Sequence, residues 1–213
     1  MLKDDLEKIY EYAESHTSPE NEILYELNRK TNLEVAIPQM ISGHLQGAYL
    51  KFMSRILQPK LVLEIGTYTS YSAICMAYGL AKNGKVITID NNKYLVDIQQ
   101  EFIERAGFKQ QIDLHLDDAS NVIPTINDPI DLVFIDADKI NYSQYFDLVI
   151  EKVRKGGIII ADNVLYDGEV LTPAKASKNG KALDLFNTKI HKDPRVENML
   201  LPLRDGLMLM VKL

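Results

Sequence analysis

Apolar residues follow two different spacings along the chain, and the change falls near residue 58. Before it, apolar positions recur every three or four residues, which predicts helices over 2–15, 19–31 and 42–57. Ser18 is the expected N-cap of the second helix, with Pro19 at its first position. The third helix carries an apolar stripe that could form core or a contact between subunits: Leu45, Tyr49, Phe52, Met53, Ile56 and Leu57.

After residue 58, short β-branched runs alternate with longer amphipathic segments. The predicted strands cover 61–65, 85–90, 111–116, 131–136 and 157–162. The predicted helices between them lie near 70–82, 93–106 and 141–154. Strands that are apolar nearly throughout are typical of a sheet covered by helices on both faces. The alternation therefore predicts an α/β fold with a doubly wound, mostly parallel, Rossmann-like sheet.

The C-terminal part has a different pattern. A helix is predicted over 175–191, followed by two apolar runs, 196–203 and 206–213, that Arg204-Asp205 separates. This is a hairpin signal at the edge of a parallel sheet, so we expect one antiparallel C-terminal strand. We expect the 213 residues to form a single domain, 1–213, with an N-terminal helical extension over 1–57 and an α/β core over 58–213.

Composition and charge limit the possible partners and location of the protein, but they do not indicate which reaction, if any, it catalyses. A formal net charge of -6 weighs against nucleic acid as a partner, although it does not exclude a local basic patch. The sequence contains no run of 18 apolar residues, so we expect no membrane span. The acidic N-terminus does not resemble a secretory signal. The single cysteine, Cys75, cannot form an internal disulfide and lies in an apolar segment. We expect a cytoplasmic protein.

Acidic residues recur at or just past the ends of the predicted strands. They are Glu64, Asp90, Asp117, Asp118, Asp136 and Asp162. Ligands of open α/β sheets bind at the carboxyl ends of the strands, so these acids should lie along one edge. Each acid alone says little, because aspartate is common in turns and helix caps.

The first strand and the turn after it suggest a nucleoside cofactor that carries a positive charge. Gly66 would allow close backbone approach, but the turn lacks the glycine pattern of dinucleotide sites and the G-K-[ST] of P-loops. Glu64 would repel phosphate and suit an ammonium group, and Asp90 could accept ribose hydroxyls. S-adenosylmethionine meets this description. The alternatives are a cap or salt bridge for Glu64 and an Asx turn for Asp90.

The last two strand ends suggest a divalent metal. Asp136, Asp162 and Asn163 offer three oxygen ligands, the type that Mg²⁺, Mn²⁺ or Ca²⁺ prefers, with Mg²⁺ expected first. The four histidines are scattered, which disfavours zinc. Lys139 could neutralise the acids or act as an acid/base group. A metal beside a methyl donor suggests methyl transfer to oxygen.

These motifs resemble a known family, the class I cation-dependent O-methyltransferases of the caffeoyl-CoA and catechol type, including small bacterial members. The resemblance covers about residues 35–213. It rests on EIGTYTSYS (64–72), VITID (86–90), DDA (117–119), DLVFIDADKINY (131–142), GGIIIADNVLYDGEV (156–170), DPRV (193–196) and LPLRDGLML (201–209). Tyr166-Asp167 departs from the Trp-Asn of plant members, and Asp117-Asp118-Ala119 departs from the G-D-A-like or G-P-A-like adenine motif that is usual in the family.

The resemblance implies a role for each matching residue. The cofactor set would be Met40, Ser42, Glu64, Gly66, Thr67, Ser72, Asp90, Asp118, Ala119 and Asp136. The metal set would be Asp136, Asp162 and Asn163, and the catalytic residues would be Lys139, as general base or substrate-orienting cation, and Asp136. The implied reaction is metal-dependent transfer of a methyl group from S-adenosylmethionine to a hydroxyl of a catechol-like small molecule. Relatives of this type are usually homodimers.

Other functions stay open at this point. Some bacterial relatives methylate a hydroxyuridine oxygen of tRNA, which the acidic charge and the D-A-D-K form disfavour but do not exclude. A cofactor-binding module without catalysis, an NAD-dependent dehydrogenase and a purely structural α/β domain are further alternatives. The missing glycine pattern disfavours the dehydrogenase.

Overall fold

Three helices precede the sheet in the computed structural model, which describes residues 3–213. They are α1 (Lys3–Ser15), α2 (Glu22–Glu34) and α3 (Gly43–Leu57). Residue 2, the predicted start of the first helix, lies outside the described residues. The predicted start of the second helix is wrong. Asn21, not Ser18, caps α2, because its side chain accepts a hydrogen bond from the Leu24 N–H at 2.9 Å.

The core then alternates strands and helices, as the sequence predicts. In chain order the elements are β1 (Leu61–Ile65), α4 (Tyr71–Ala77), β2 (Lys85–Asp90), α5 (Val96–Arg105), β3 (Ile112–Leu116), α6 (Ala119–Val122), β4 (Ile130–Ile135), α7 (Tyr142–Ile150), β5 (Val153–Ala161), α8 (Lys178–Lys192), β6 (Val196–Leu201) and β7 (Leu207–Lys212). The predicted bounds of β1 and β2 are confirmed to the residue.

These strands form one seven-stranded sheet in the order β3-β2-β1-β4-β5-β7-β6. The first five are parallel neighbours, and β7 runs antiparallel to both β5 and β6. The prediction of a doubly wound, mostly parallel sheet with one antiparallel C-terminal strand is therefore confirmed. The order reverses between β1 and β4, which is the switch point where open α/β sheets bind ligands.

Two predicted helices are too long. The helix predicted to reach residue 82 ends at Ala77, because Gly79 packs directly on the end of α3, where a side chain would overlap the Ser54 and Arg55 backbone. The helix predicted to reach residue 154 ends at Ile150. There the chain is already in β5, since Val153 pairs with Ile130 of the neighbouring strand.

Alternate residues of the central strands pack on opposite faces of the sheet. In β4, Val133 and Ile135 belong to the apolar cluster beneath α7 and α8, whereas Leu132 and Phe134 belong to the cluster beneath α2–α5. Burial on both faces accounts for the continuous apolar runs in the sequence. None of the helices in residues 3–213 is both long and apolar enough to cross a lipid bilayer.

The N-terminal helices are tied to the core by side-chain hydrogen bonds. The Thr31 hydroxyl donates to Thr69 at 3.2 Å, and the Asn21 amide donates to the Tyr78 hydroxyl at 2.7 Å. Within the apolar stripe of α3, by contrast, Phe52 is 62% and Ile56 66% exposed, whereas Tyr49 and Leu57 pack against the core. A core role for Phe52 and Ile56 is therefore wrong.

Candidate active site

Backbone hydrogen bonds between neighbouring strands bring the candidate residues to one edge. The N–H groups of Gly66, Asp136 and Asp162 donate to Ile89, Ile65 and Ile135, each at 2.9 Å. Each of these donors lies just past the end of its own strand, so the ladder continues beyond the regular sheet. This continuation lines up the chain segments that follow β1, β4 and β5 at the switch point.

A cavity of about 370 Å³ opens at this edge. Six of the predicted cofactor residues line it: Met40, Gly66, Asp90, Asp118, Ala119 and Asp136. The other four, Ser42, Glu64, Thr67 and Ser72, are buried and do not line it. The wall also contains residues that the predicted cofactor set omits, among them Tyr68, Leu95, Asp138 and Tyr145.

The turn after β1 forms one wall of the cavity. Gly66 has a φ of +100°, and a Cβ there would overlap the Asp136 carbonyl oxygen, so only glycine fits without displacing that segment. Asp90 accepts the Tyr68 N–H at 2.8 Å through Oδ2 and the Asn92 N–H at 2.8 Å through Oδ1. The Asx-turn alternative for Asp90 is thus correct locally. The same carboxylate lines the cavity, and each oxygen keeps a lone pair for a ligand.

The acids after β3 are satisfied by nearby donors. Asp117 accepts the Asp118 N–H at 2.6 Å and the Asn121 amide at 2.9 Å. Asp118 caps α6 by accepting the Ser120 N–H at 2.8 Å. Hydrogen bonds from Asn121 and from Ser120 lower the pKa of Asp117 and of Asp118 respectively, so both are charged at the cavity rim.

Glu64 is the unusual acid of this set, because it is completely buried in β1. The Thr88 hydroxyl donates to its Oε2 at 2.5 Å, and Thr88 also contacts the Thr67 hydroxyl at 2.6 Å. Burial raises the pKa of Glu64 to about 8, while hydrogen bonding to Ser72 and Thr88 opposes the shift. Its Oε1 makes no well-formed hydrogen bond to the described residues. Neither a helix cap nor a salt bridge accounts for it.

A buried polar atom without a partner usually indicates a missing ligand or water. Here it lies beneath the turn that lines the cavity, and that turn also requires glycine. Both features fit a ligand that brings a cationic group and close backbone contact. The residues present therefore fit S-adenosylmethionine.

Asp136 begins the second part of the site. The Lys139 ammonium donates to Asp136 Oδ1 at 2.8 Å and to the Tyr142 hydroxyl at 2.7 Å. Tyr142 is fully buried and donates in turn to the Asp162 carbonyl oxygen at 3.0 Å. These contacts fix the Lys139 side chain, which is only 14% exposed, beside the cavity wall that Asp136 forms.

Asp162 is held by a residue that lies outside every sequence motif quoted above. Gln46 on α3 donates to Asp162 Oδ2 at 2.6 Å, and the Asn163 N–H donates to Oδ1 at 2.7 Å. Burial raises the pKa of Asp162 to about 7, and the neighbouring Asp136 charge adds to the shift. A positive charge bound between the two carboxylates would stabilise both.

Asn163, the third predicted metal ligand, is in the left-handed region with a φ of +57°. Beside it lies Asp205, at the turn before β7, another residue missing from the predicted site. Burial raises the pKa of Asp205, and hydrogen bonds from the Asp167 backbone and the Asn163 side chain oppose that shift. The Asp167 N–H donates to Asp205 Oδ1 at 2.7 Å.

The donor chemistry of this part fits a hard divalent cation, because carboxylate and amide oxygens are its preferred ligands. Within residues 3–213, no three His, Cys, Asp or Glu side chains are arranged to hold a metal ion. With Asp136 and Asp162 as the two carboxylates, the Asn163 amide is the candidate for the third protein donor. Fewer protein ligands leave room for oxygen ligands from a substrate or water.

Similarity to known proteins agrees with this geometry. A family model for O-methyltransferases matches residues 14–213, nearly the whole chain. A probable caffeoyl-CoA O-methyltransferase 2 from Dictyostelium discoideum is 33% identical over 211 residues, covering 96% of this chain and 91% of that protein. A catechol O-methyltransferase from Niastella koreensis is 33% identical over 172 residues, covering 79% of this chain and 78% of that protein.

Among solved structures, the methyltransferase PaMTH1 from Podospora anserina, determined with bound S-adenosylhomocysteine, has a TM-score of 0.92 with this chain. It is 26% identical, and the match covers 100% of this chain and 97% of that one. Sequence and fold thus point to the same group of proteins over the same length.

Proposed function

Because this chain belongs to the O-methyltransferase family and is an S-adenosylmethionine-dependent enzyme, we propose that its acceptor is a vicinal aromatic diol and that methyl transfer requires a divalent cation. The proposed acceptor class follows the catechol and caffeoyl-CoA enzymes that the chain is similar to. Mg²⁺ is the proposed native cation, with Mn²⁺ and Ca²⁺ as substitutes that use the same oxygen ligands.

The single observation that carries this proposal is the double role of Asp136. Asp136 lines the cofactor cavity, and its carboxylate pairs with Lys139 at 2.8 Å. Asp162 lies near enough for the charge of Asp136 to raise its pKa. A methyl donor and a cation would therefore lie side by side, which is the arrangement that methyl transfer to a cation-bound diol needs.

In the proposed cofactor site, this chain supplies three kinds of contact. Asp90 would accept the ribose hydroxyls, and Asp118 with Ala119 would lie beside the adenine. The turn at Gly66 and Thr67, with Met40, Ser42 and Ser72 around it, would hold the methionine part. Glu64 would provide the partner for the ammonium group. Bound S-adenosylmethionine supplies a methyl group on a positively charged sulfur.

In the proposed cation site, Asp136, Asp162 and Asn163 would be the protein ligands. A bound divalent cation supplies positive charge that favours ionisation of an acceptor hydroxyl. Lys139, held by Asp136 and Tyr142, would act as the neutral amine, after its ammonium form has released one proton to solvent on cation binding. Its Nζ would then take the hydroxyl proton as the acceptor oxygen bonds to the methyl carbon and the sulfur leaves. Positioning and charge stabilisation then account for most of the rate enhancement.

A methyl-transfer assay with a small set of acceptors tests this proposal. Labelled S-adenosylmethionine is incubated with catechol, phenol or bulk tRNA, after chelation and again after Mg²⁺ is restored. We expect transfer to catechol with Mg²⁺, and little transfer to phenol, which lacks the second hydroxyl. Methyl transfer to tRNA but not to catechol would show that the proposed acceptor is wrong. Equal transfer in excess chelator would show that the reaction does not need a divalent cation.

We also propose a homodimer that uses the outward face of α3. Phe52 and Ile56 expose most of their surface there, and Met199 on β6 is 56% exposed. Apolar groups gain free energy when a second subunit covers them. Sedimentation should give twice the 24.2 kDa chain mass, and Phe52→Asp with Ile56→Asp should give the monomer. Tyr25→Asp, at an exposed site on α2, is the matched control; a monomeric wild type contradicts the proposal.

A further inference from the structure

We propose that Gln46 is a positioning residue that fixes the Asp162 carboxylate for cation binding, and that Arg204 sets the direction of the Gln46 amide. The inference rests on the proposed function, in which Asp162 is a cation ligand. It adds two residues, one on α3 and one in the turn between β6 and β7, to which the sequence motifs assign no role in the site.

Gln46 is buried, so its side-chain amide would destabilise the fold if it had no hydrogen-bond partner. It lies on the inner face of α3 with no exposed surface, and its Nε2 donates to Asp162 Oδ2 at 2.6 Å. The contact joins residues 116 positions apart. Because the other Asp162 oxygen accepts the Asn163 N–H at 2.7 Å, both oxygens have a fixed direction. Each oxygen still has a lone pair that can face a cation.

The amide of a glutamine can point either way, so something has to decide which end faces Asp162. Arg204 decides it here. Its Nη1 lies 3.3 Å from Gln46 Oε1, and a guanidinium group only donates hydrogen bonds. The oxygen end of Gln46 must therefore face Arg204, and the nitrogen end must face the carboxylate. The reverse orientation would bring an amide oxygen against Asp162 and two donors together.

Arg204 is itself anchored by the start of α3. The same Nη1 donates to the carbonyl oxygen of Ile41 at 3.2 Å and to that of Ser42. Its backbone N–H donates to the Tyr10 hydroxyl at 3.0 Å. Arg204 has a φ of +50°, in the tight turn that begins β7. A rigid turn, a buried amide and a carboxylate thus form one chain of contacts that ends at the proposed cation site.

Substitution of Gln46 by Met tests the inference, because Met has similar length and no hydrogen-bonding group. The matched control is Gln99→Met. Gln99 is equally buried, and its side-chain amide donates to the Tyr68 carbonyl oxygen at 2.7 Å in the turn that lines the cofactor cavity. Each variant removes a hydrogen bond from a buried amide, to a carboxylate in Gln46→Met and to a backbone carbonyl in Gln99→Met, at opposite ends of the site.

Mn²⁺ binding is measured by the electron paramagnetic resonance signal of the free ion, at saturating S-adenosylhomocysteine. We expect Gln46→Met to raise the dissociation constant for Mn²⁺ by about tenfold to a hundredfold, as for other residues that orient metal ligands. Gln99→Met should leave it within about twofold, because the site is not shared, and should weaken cofactor binding instead. The Mg²⁺ concentration for half-maximal activity should rise in Gln46→Met more than kcat falls.

Arg204→Met provides a second route if Gln46→Met does not fold, since Arg204 is at the surface. It should raise the Mn²⁺ dissociation constant in the same direction by a smaller factor, and Arg204→Lys should restore part of the loss. The inference is overturned, while the proposed function stands, if Gln46→Met binds Mn²⁺ as tightly as the wild type. If only Arg204→Met folds, unchanged Mn²⁺ affinity in that variant has the same meaning. A wild-type protein that binds no Mn²⁺ overturns both.

Discussion

The two ends of the site hold their carboxylates in different ways. At the cofactor end, Asp90 and Asp118 accept backbone N–H groups, and hydrogen bonding lowers the pKa of Asp118. At the cation end, a side chain supplies a donor to each acid, Lys139 to Asp136 and Gln46 to Asp162, although Asp162 also accepts the Asn163 N–H. Burial raises the pKa of Asp162 to about 7. Backbone N–H donors are present whenever the chain folds, whatever the side chains are. Side-chain donors, by contrast, can each be removed by a single substitution.

The difference has a consequence for binding. Charged acids that already have local donors are ready to accept ligand hydroxyls without further help. A buried carboxyl next to another carboxylate has too little positive charge nearby to stabilise its ionised form. A bound cation would supply that positive charge. We therefore expect cofactor binding to be largely independent of divalent cations and methyl transfer to depend on them.

The largest expected effect is at Lys139. Lys139→Met should lower kcat by about 10²- to 10⁴-fold, because it removes the proposed general base, and should leave cofactor affinity nearly unchanged. Steady-state kinetics together with a cofactor titration measure both. Lys139→Arg separates the two roles, since Arg keeps the charge but cannot accept a proton. Near-normal turnover in Lys139→Arg would make the residue an orienting cation instead.

Glu64 gives the next largest effect, on stability. Its pKa rises from 4.5 in the unfolded chain to about 8 in the folded protein, so its contribution is complete below pH 4.5 and is lost as the pH rises to 8. In that range the ligand-free protein should lose up to about 1.4 kcal/mol of stability per pH unit from this group. Glu64→Gln should flatten the fall of Tm between pH 5 and 8, whereas the surface variant Glu101→Gln should not. Parallel profiles for wild type and Glu64→Gln would show that the carboxyl is not protonated in the folded state.

Asp90 tests the cofactor end. Asp90→Asn removes one charged acceptor from the cavity wall, so the dissociation constant for S-adenosylhomocysteine should rise by about tenfold. Calorimetric titration measures that constant, and Mn²⁺ affinity at saturating cofactor should stay the same. A variant that loses Mn²⁺ affinity as strongly as cofactor affinity would erase the distinction between the two ends.

The smallest expected effect is at Asp205. Its side chain contacts the Asn163 side chain and the Asp167 N–H, so Asp205→Asn should weaken Mn²⁺ binding by only about threefold. Asp113→Asn, at an exposed position on β3, is the control for loss of one charge. An effect as large as that of Gln46→Met would place Asp205 among the ligands themselves.

The sequence predicts the two ends of the site unequally, for the same physical reason. Local sequence predicts one group of features, because each is determined by a short continuous segment: the strand ends, the glycine turn, Asp90, Asp136 and Asp162. The roles of Gln46 and Asp205 are not visible, although Asp205 lies in the quoted LPLRDGLML, because their contacts with Asp162 and Asn163 exist only after distant segments pack. Tyr68 and Asp138 lie within the quoted motifs just after strands, and that position is a signal for the cavity wall.

The helix boundaries failed where tertiary packing overrides local pattern. Ser18-Pro19 is a good local start signal, but Asn21 caps α2. The α4 helix stops at Ala77 because the chain at Gly79 lies against α3, a contact that no window of sequence reveals. The apolar stripe of α3 likewise predicts burial without saying by what, and Phe52 and Ile56 are exposed in the single chain.

The most direct test of the account is anomalous X-ray diffraction from crystals grown with Mn²⁺ and S-adenosylhomocysteine. We expect one strong anomalous peak just past the ends of β4 and β5, within coordination distance of oxygen atoms of Asp136, Asp162 and Asn163. Asp162→Asn crystals treated in the same way should lose most of that peak and keep the bound S-adenosylhomocysteine. A wild-type crystal with full cofactor density and no Mn²⁺ at those three residues would contradict it.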